Sequence, residues 1–181
     1  MPVIISLLRA VNVAGHNKVK MDALRELYQS LGLRGAQSYV QSGNLVFRTD
    51  AKDLARLQKR IEDAIEASFG FRAGVMLRSS DELKDVVRRN PFAKRSGIEP
   101  NRLVVSFLTS EPGPESKQKI AQIKVGPEEL HLDGRELYIY YAGGMGTSKL
   151  TPAVIERTLK VSGTGRNWNT VTKLLEMAEK L

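Results

Sequence analysis

The chain has 181 residues, with 28 Lys and Arg against 20 Asp and Glu for a formal net charge of +8, and 41% of its residues are hydrophobic. That composition supports a folded core and is too apolar for a disordered chain, and the length suits one domain or two small ones. Absence of cysteine removes disulfides, thiol nucleophiles, iron–sulfur clusters and thiolate zinc sites, and His16 and His131 form no HExxH pair, so no metal and no cofactor is predicted.

Residues 3–8 are a β-rich start, too short to span a bilayer and lacking the basic start and cleavage site of a signal peptide, so a cytoplasmic protein is expected. Met21, Leu24, Leu27, Tyr28 and Leu31 then recur at helical spacing, and Gly32 supplies the stop. Residues 38–41 and 44–48 flank Ser42-Gly43, which favours a tight turn between antiparallel strands. Leu54, Leu57, Ile61, Ala64 and Ile65 mark a long amphipathic helix, after which residues 71–77 return to extended character. The order is βαββαβ, the split βαβ layout in which helices cover one side of a sheet.

Ser79 and Glu82 have capping-box spacing before Leu83, Val86 and Val87, and residues 91–101, with Pro91, Gly97 and Pro100, read as a linker. The second half repeats the order. Residues 103–108 are a strand, 115–124 a weak helix, and 129–132 pair across Asp133-Gly134 with 136–141. Thr151-Pro152 caps the next helix, residues 161–166 form a short strand, and 167–179 form a helix with Val171, Leu174, Leu175 and Ala178 on one stripe. The repetition lies in element order, with no residue-by-residue self-similarity. The expected fold is α+β, with tandem duplicated ferredoxin-like, split βαβ halves whose antiparallel or mixed sheets are covered by helices. The first half spans 1–78, a connecting helix and linker 79–101, and the second α/β half with its C-terminal helix 102–181.

Four polar, glycine-containing segments interrupt these elements: residues 9–18, 41–44, 143–149 and 166–170. Exposed amides at a helix start, together with ammonium groups, can hold a phosphate or carboxylate. Arg9, Asn12, Asn17, Lys18 and Lys20 are therefore candidate ligand residues, with Gln41, Ser42 and Asn44 in the second segment. Ser148 and Lys149, then Arg166, Asn167 and Asn169, extend the set. The competing reading of the first segment is a structural loop in which Asn12 and Asn17 satisfy backbone groups. Neither GxGxxG nor GxxxxGK[ST] is present, and in Ser148-Lys149 the lysine follows the serine, so no nucleotide-binding fingerprint exists. Trp168 shares a helical face with Val171, Leu174 and Leu175, which predicts a ring in the core, and Asn167 is a natural N-cap. Arg166 suits either an anion at the helix start or an acidic neighbour in the sheet. Tyr138 and Tyr140 alternate with Leu137, Ile139 and Tyr141, as ordinary strand packing requires.

Residues 9–21, then Tyr39-Val40-Gln41-Ser42-Gly43-Asn44-Leu45-Val46-Phe47, Asn90-Pro91-Phe92, Ser148-Lys149-Leu150 and Arg166-Asn167-Trp168-Asn169-Thr170-Val171, together resemble a bacterial family of unknown function, DUF1697. The likeness covers nearly the full chain. It implies a duplicated arrangement of small α/β units related to the split βαβ fold, and brings no activity, substrate or catalytic residue with it. Ala10 and Ala14 stand where the family commonly has glycine, which weakens any special backbone conformation there.

The leading functional expectation is binding of an anionic small molecule or a nucleic-acid backbone by polar loops on a basic surface. An enzymatic alternative, a metal-independent transferase or hydrolase between the halves, needs Asn12, Ser42, Ser148 and Arg166 around one cleft, with His16 as a base. A third alternative is an interaction module or homodimer formed through a sheet edge, no membrane being involved.

Overall fold

The strand β1 (Val3–Leu8) is apolar on both faces, and the fold buries both. In the computed structural model, which describes residues 1–124 and 126–181, β1 pairs antiparallel with β3 (Asn44–Arg48) on one side and β4 (Val75–Ser79) on the other. β2 (Arg34–Tyr39) lies outside β3, giving the order β2-β3-β1-β4. Helices α1 (Met21–Ser30) and α2 (Leu54–Phe69) make the two crossovers, so every pairing is antiparallel and β3 splits the β1-α1-β2 unit.

Strand period two and helix period 3.6 together select one shared face. Ile4 and Leu8 of β1, Leu45 and Phe47 of β3, and Val75 and Leu77 of β4 pack with Leu24 and Tyr28 of α1 and Leu57, Ile61 and Ile65 of α2. Burial of each α2 side chain contributes about 1.5–3 kcal/mol. Ser6 faces the same way, and its hydroxyl shares a 2.8 Å hydrogen bond with that of Tyr28, satisfying both groups away from water. On the opposite face Ile5, Leu7, Val46 and Arg78 are also buried, and Arg78 Nη1 donates to the Leu77 carbonyl at 3.0 Å.

Asp53 caps α2 by accepting from the Arg56 N–H at 3.0 Å, and Gly70 ends it in the left-handed conformation. β4 starts at Val75, later than the extended run expected from residue 71. The residues before it are tied to α2 rather than to the sheet: Phe71 stacks on Phe69, and Arg72 pairs with Glu62, Asp63 and Glu66.

The second unit repeats this plan. β5 (Leu103–Leu108) lies between β7 (Glu136–Tyr140) and β8 (Gly163–Asn167), β6 (Glu129–Asp133) forms the edge, and α4 (Pro114–Gln122) and α5 (Pro152–Leu159) make the crossovers. The repeat extends to single residues. Ser6 stands opposite Leu45 and Leu77 as Ser106 stands opposite Leu137 and Gly165, and Ile5 faces Arg78 as Val105 faces Arg166. Each last strand runs directly into a helix, α3 (Ser80–Arg88) or α6 (Trp168–Lys180). The expected reciprocal box precedes α3: Ser79 N–H donates to Glu82 at 2.8 Å and Glu82 N–H to Ser79 Oγ at 3.1 Å. Asn167 caps α6 at the equivalent position by accepting from the Thr170 N–H at 3.0 Å. The repeat of element order thus carries a matching serine and arginine at equivalent register positions, among neighbours that differ between the two sheets.

One compact unit comprises Met1–Asp85 and Lys173–Leu181, the other Val86–Thr172. The last turns of α6 therefore belong with the first unit, where Leu181 lies against Gly35. Among the described residues no helix is long and apolar enough to cross a membrane.

Tyr141 closes the second core, its hydroxyl donating to the Leu150 carbonyl at 3.1 Å, and burial pushes its pKa up to about 12. A raised acid pKa contributes stability that is intact below the ordinary value of about 10 and lost as pH rises towards 12. Denaturant unfolding across this range should show the wild type losing stability relative to Tyr141→Phe. Parallel pH curves for the two proteins would contradict the buried phenol.

Candidate functional site

The two units differ most at the end of the first sheet where β1 finishes. There the β1–α1 connection runs over residues 9–20, whereas the β5–α4 connection of the second unit needs only residues 109–113. The β2–β3 loop takes residues 40–43, against the Gly134-Arg135 turn between β6 and β7. Five of the six non-glycine residues with positive φ among the described residues lie in these two loops: Ala10, Asn12, Ala14, Asn17 and Val40. Left-handed backbone costs an L-residue about 1–2 kcal/mol, and Val40, β-branched at φ 51, is an outlier even among such residues. Alanines at positions 10 and 14 thus adopt, at φ 56 and 49, the conformation that glycine would take without strain.

Asn12 holds the loops together. Its Nδ2 donates to the carbonyls of Val19 at 3.0 Å and Gln41 at 2.7 Å, and its Oδ1 accepts from the Val19 N–H at 2.9 Å. Its own N–H donates to the Asn17 carbonyl at 3.1 Å, and Asn17 Nδ2 donates to the Ala10 carbonyl at 3.1 Å. Both asparagines therefore serve the backbone of the loop. Asn44 is buried and does the same for the hairpin, donating to the Tyr39 carbonyl at 3.0 Å and to Ser42 Oγ at 2.8 Å. Gly43 lies so close to β1 that a Cβ there would stand 2.7 Å from Leu8 Cβ.

This frame surrounds an open concavity of about 620 Å³ lined by Asn12, Gly15, Lys18, Val19, Lys20 and Gln41. A neighbouring one of about 330 Å³ shares Lys20 and Gln41 and continues past Met21 and Asp22 to Arg25 and Ser38. Lys20 occupies the N-cap position of α1 without any side-chain capping bond, so the first-turn N–H groups lack a side-chain acceptor there. Lys18, Lys20 and Gln41 are exposed, while Arg25 is engaged with Asp22 and Ser38. Arg9 is half-buried and His16 exposed. Sequence reasoning missed Arg25, Ser38 and the strained Val40. Only the folded hairpin brings the first two beside Lys20, and no motif announces a left-handed valine.

The other two segments lie in the second unit, at the sheet end where β5 begins, which is opposite in the repeat to the end carrying residues 9–20. Ser148 Oγ donates to Glu128 at 2.5 Å and accepts from the Leu150 N–H at 3.0 Å, while Lys149 and Asn169 are exposed. Arg166 is buried; its Nη1 donates to Thr164 Oγ1 at 2.7 Å and the Gly165 carbonyl at 2.9 Å, and desolvation lowers its pKa to about 10. Trp168, expected in the core, is half-buried because it is the first residue of α6, whose buried positions are Val171, Leu174 and Ala178. Tyr138, Tyr140 and Tyr141 are all buried and offer no exposed stacking platform. Among the described residues no cluster of His, Asp or Glu is arranged to hold a metal ion.

Two βαββαβ units, each with a helix-covered antiparallel sheet and each with its longer loops at a different sheet end, define a duplicated ferredoxin-like α+β protein. The model of the family described as protein of unknown function (DUF1697) matches residues 1–138, and the chain belongs to that family. The chain is also similar to the solved structure of the conserved bacterial protein SP0830 from Streptococcus pneumoniae. The identity is 26% and the TM-score 0.69, over 98% of each chain. No curated protein matches it.

Gly43→Ala should lower stability by about 2–4 kcal/mol, combining left-handed strain with overpacking against Leu8. Ala14→Gly should instead raise it by up to about 1 kcal/mol, because relief of strain exceeds the entropy glycine adds to the unfolded chain. Denaturant unfolding reads both, and a loss of stability in Ala14→Gly would argue against the left-handed backbone at that position.

Proposed function

We propose that the first unit binds a small anionic ligand, a phosphorylated or carboxylated molecule, in the concavity framed by residues 12–20 and the β2–β3 loop. The observation that carries this reading is the juxtaposition of Lys18 and Lys20 with the uncapped start of α1 and the exposed Gln41. Neither lysine has an ion-pair partner among the described residues. The N–H groups and positive dipole end of the helix favour a negative ligand, and two ammonium groups supply the counter-charge without first breaking a salt bridge.

The strained backbone supports the same reading. Left-handed alanines and a left-handed valine persist only where the surrounding structure over-determines them, and such strain clusters where backbone is held ready for a ligand. Asn12 supplies the over-determination here. A nucleic-acid backbone presents the same phosphate chemistry, and its affinity would fall more steeply with salt because several counterions are released together. The setting this reading assumes is a cytoplasmic monomer or homodimer.

Calorimetric titration with inorganic phosphate, a nucleoside monophosphate and a short single-stranded RNA, at low and moderate salt, tests the proposal. Binding of at least one probe should weaken with salt, and K18Q/K20Q should weaken it by about tenfold or more, as loss of charge-assisted hydrogen bonds implies. Lys149→Gln, in the second unit, should leave it unchanged. Failure of all three probes to bind at low salt, or equal binding by the double variant, would overturn the reading.

A further inference from the structure

Each copy of the repeated fold is a packing control for the other. In the first unit Ser6 and Phe47 contact Tyr28 on the helix-facing side of the sheet, in the core cluster that also holds Val75 and Leu77. Ser6 Oγ is 2.8 Å from the Tyr28 hydroxyl, and the Tyr28 ring packs edge-on to Phe47 at 5.5 Å between centroids. At the same register in the second sheet stand Ser106, Ile139, Gly163 and Gly165. Helix α4 contributes no aromatic side chain, burying Ser116 and Ile120. The serine is kept while each large neighbour is replaced by a smaller one.

What results is a cavity of about 40 Å³ within the second unit, lined by Ser106, Ile139, Ile155, Tyr141, Gly163 and Gly165. Ser106 is only 8% exposed, and its hydroxyl has no hydrogen-bond partner among the described residues. The hydroxyl borders the cavity and remains open to water, the buried side-chain atom without a partner among the described residues being Glu128 Oε2, so a ligand's polar group would replace water at Ser106 Oγ. There is no room to refill the space from β8. A Cβ at position 163 would stand 2.9 Å from Leu108 Cδ2 and 3.0 Å from Ser106 Oγ, and one at position 165 would stand 3.1 Å from Val104 Cγ1.

We propose that this cavity binds a small neutral molecule with an apolar body and one hydrogen-bonding group, on the scale of a short alcohol or amide. The polar group meets Ser106 Oγ, and the carbons lie against Ile139 and Ile155. One water occupies about 10–15 Å³ by this measure, so the cavity accommodates roughly three or four non-hydrogen atoms. Anions are disfavoured by the apolar wall and by Glu156 at its border, whose carboxylate accepts from the Gly163 N–H at 3.4 Å. The site is therefore separate in chemistry from the cationic concavity of the first unit. Met145, 51% exposed and also bordering the cavity, is the adaptable side chain through which a ligand enters.

Isopropanol is the probe, read by NMR of the Val104, Ile139 and Ile155 methyl groups. Saturable shifts are expected in the wild type, and Ile139→Phe, which installs the residue the first unit has at this register, should abolish them. Ser106→Ala should weaken binding by roughly five- to tenfold, the loss of one hydrogen bond. Thermal melts establish that each variant folds, and Ser106→Val replaces Ile139→Phe as the filled variant should the latter fail to fold. Absence of saturable shifts in the wild type, shifts that persist in the filled variant, or undiminished affinity in Ser106→Ala would each overturn the proposal. Binding of xenon without isopropanol would do so too, by identifying a dry packing void.

Discussion

The requirement that one central strand be buried on both faces while pairing along both edges organises each unit. β1 meets it with Ile4, Ser6 and Leu8 towards the helices and Ile5 and Leu7 away from them, and β5 meets it with the corresponding residues one hundred positions later. Its neighbours on both sides run antiparallel to it, and each helical crossover carries the chain past one strand to the next parallel position. Once its register is set, the rest of the sheet follows, because a one-residue slip would turn every apolar side chain to the wrong face. The buried arginines Arg78 and Arg166, each opposite the same position of its central strand, belong to this frame.

Duplication makes divergence visible. The two sheets share topology, register and the cap before the helix that follows, so their differences are additions to a common frame. The first unit keeps a filled core and lengthens the two loops at one sheet end, where Asn12 binds them to each other. The second keeps short loops at that end and loosens its core around Ser106. Surface chemistry was elaborated in one copy and interior packing in the other, as loops tolerate insertion more readily than cores tolerate rearrangement.

Much of the frame was legible in the chain because it rests on local rules. Apolar periodicity located the helices and strands, Asp133-Gly134 marked the second hairpin, and Ser79, Glu82 and Asn167 capped helices as their positions implied. The candidate site was legible only as a collection of residue types. Asn12, Lys18 and Gln41 stood out as polar residues in glycine-containing loops, but their division of labour did not. Asn12 and Asn44 spend their amides on backbone carbonyls, Arg166 is buried, and Lys18 and Lys20 stay exposed beside a helix start.

By itself the sequence determined element type, order and family membership, since each depends on contacts between near neighbours or on motifs written consecutively. Tertiary structure alone decided which residues became equivalent across the repeat, where the left-handed strain gathered, and which polar groups remained exposed or enclosed. Those outcomes depend on residues brought together from distant parts of the chain: Gln41 against Asn12, Gly43 against Leu8, Ser106 against Gly163. A side chain's identity states what it can bond to; only the fold states what stands within reach.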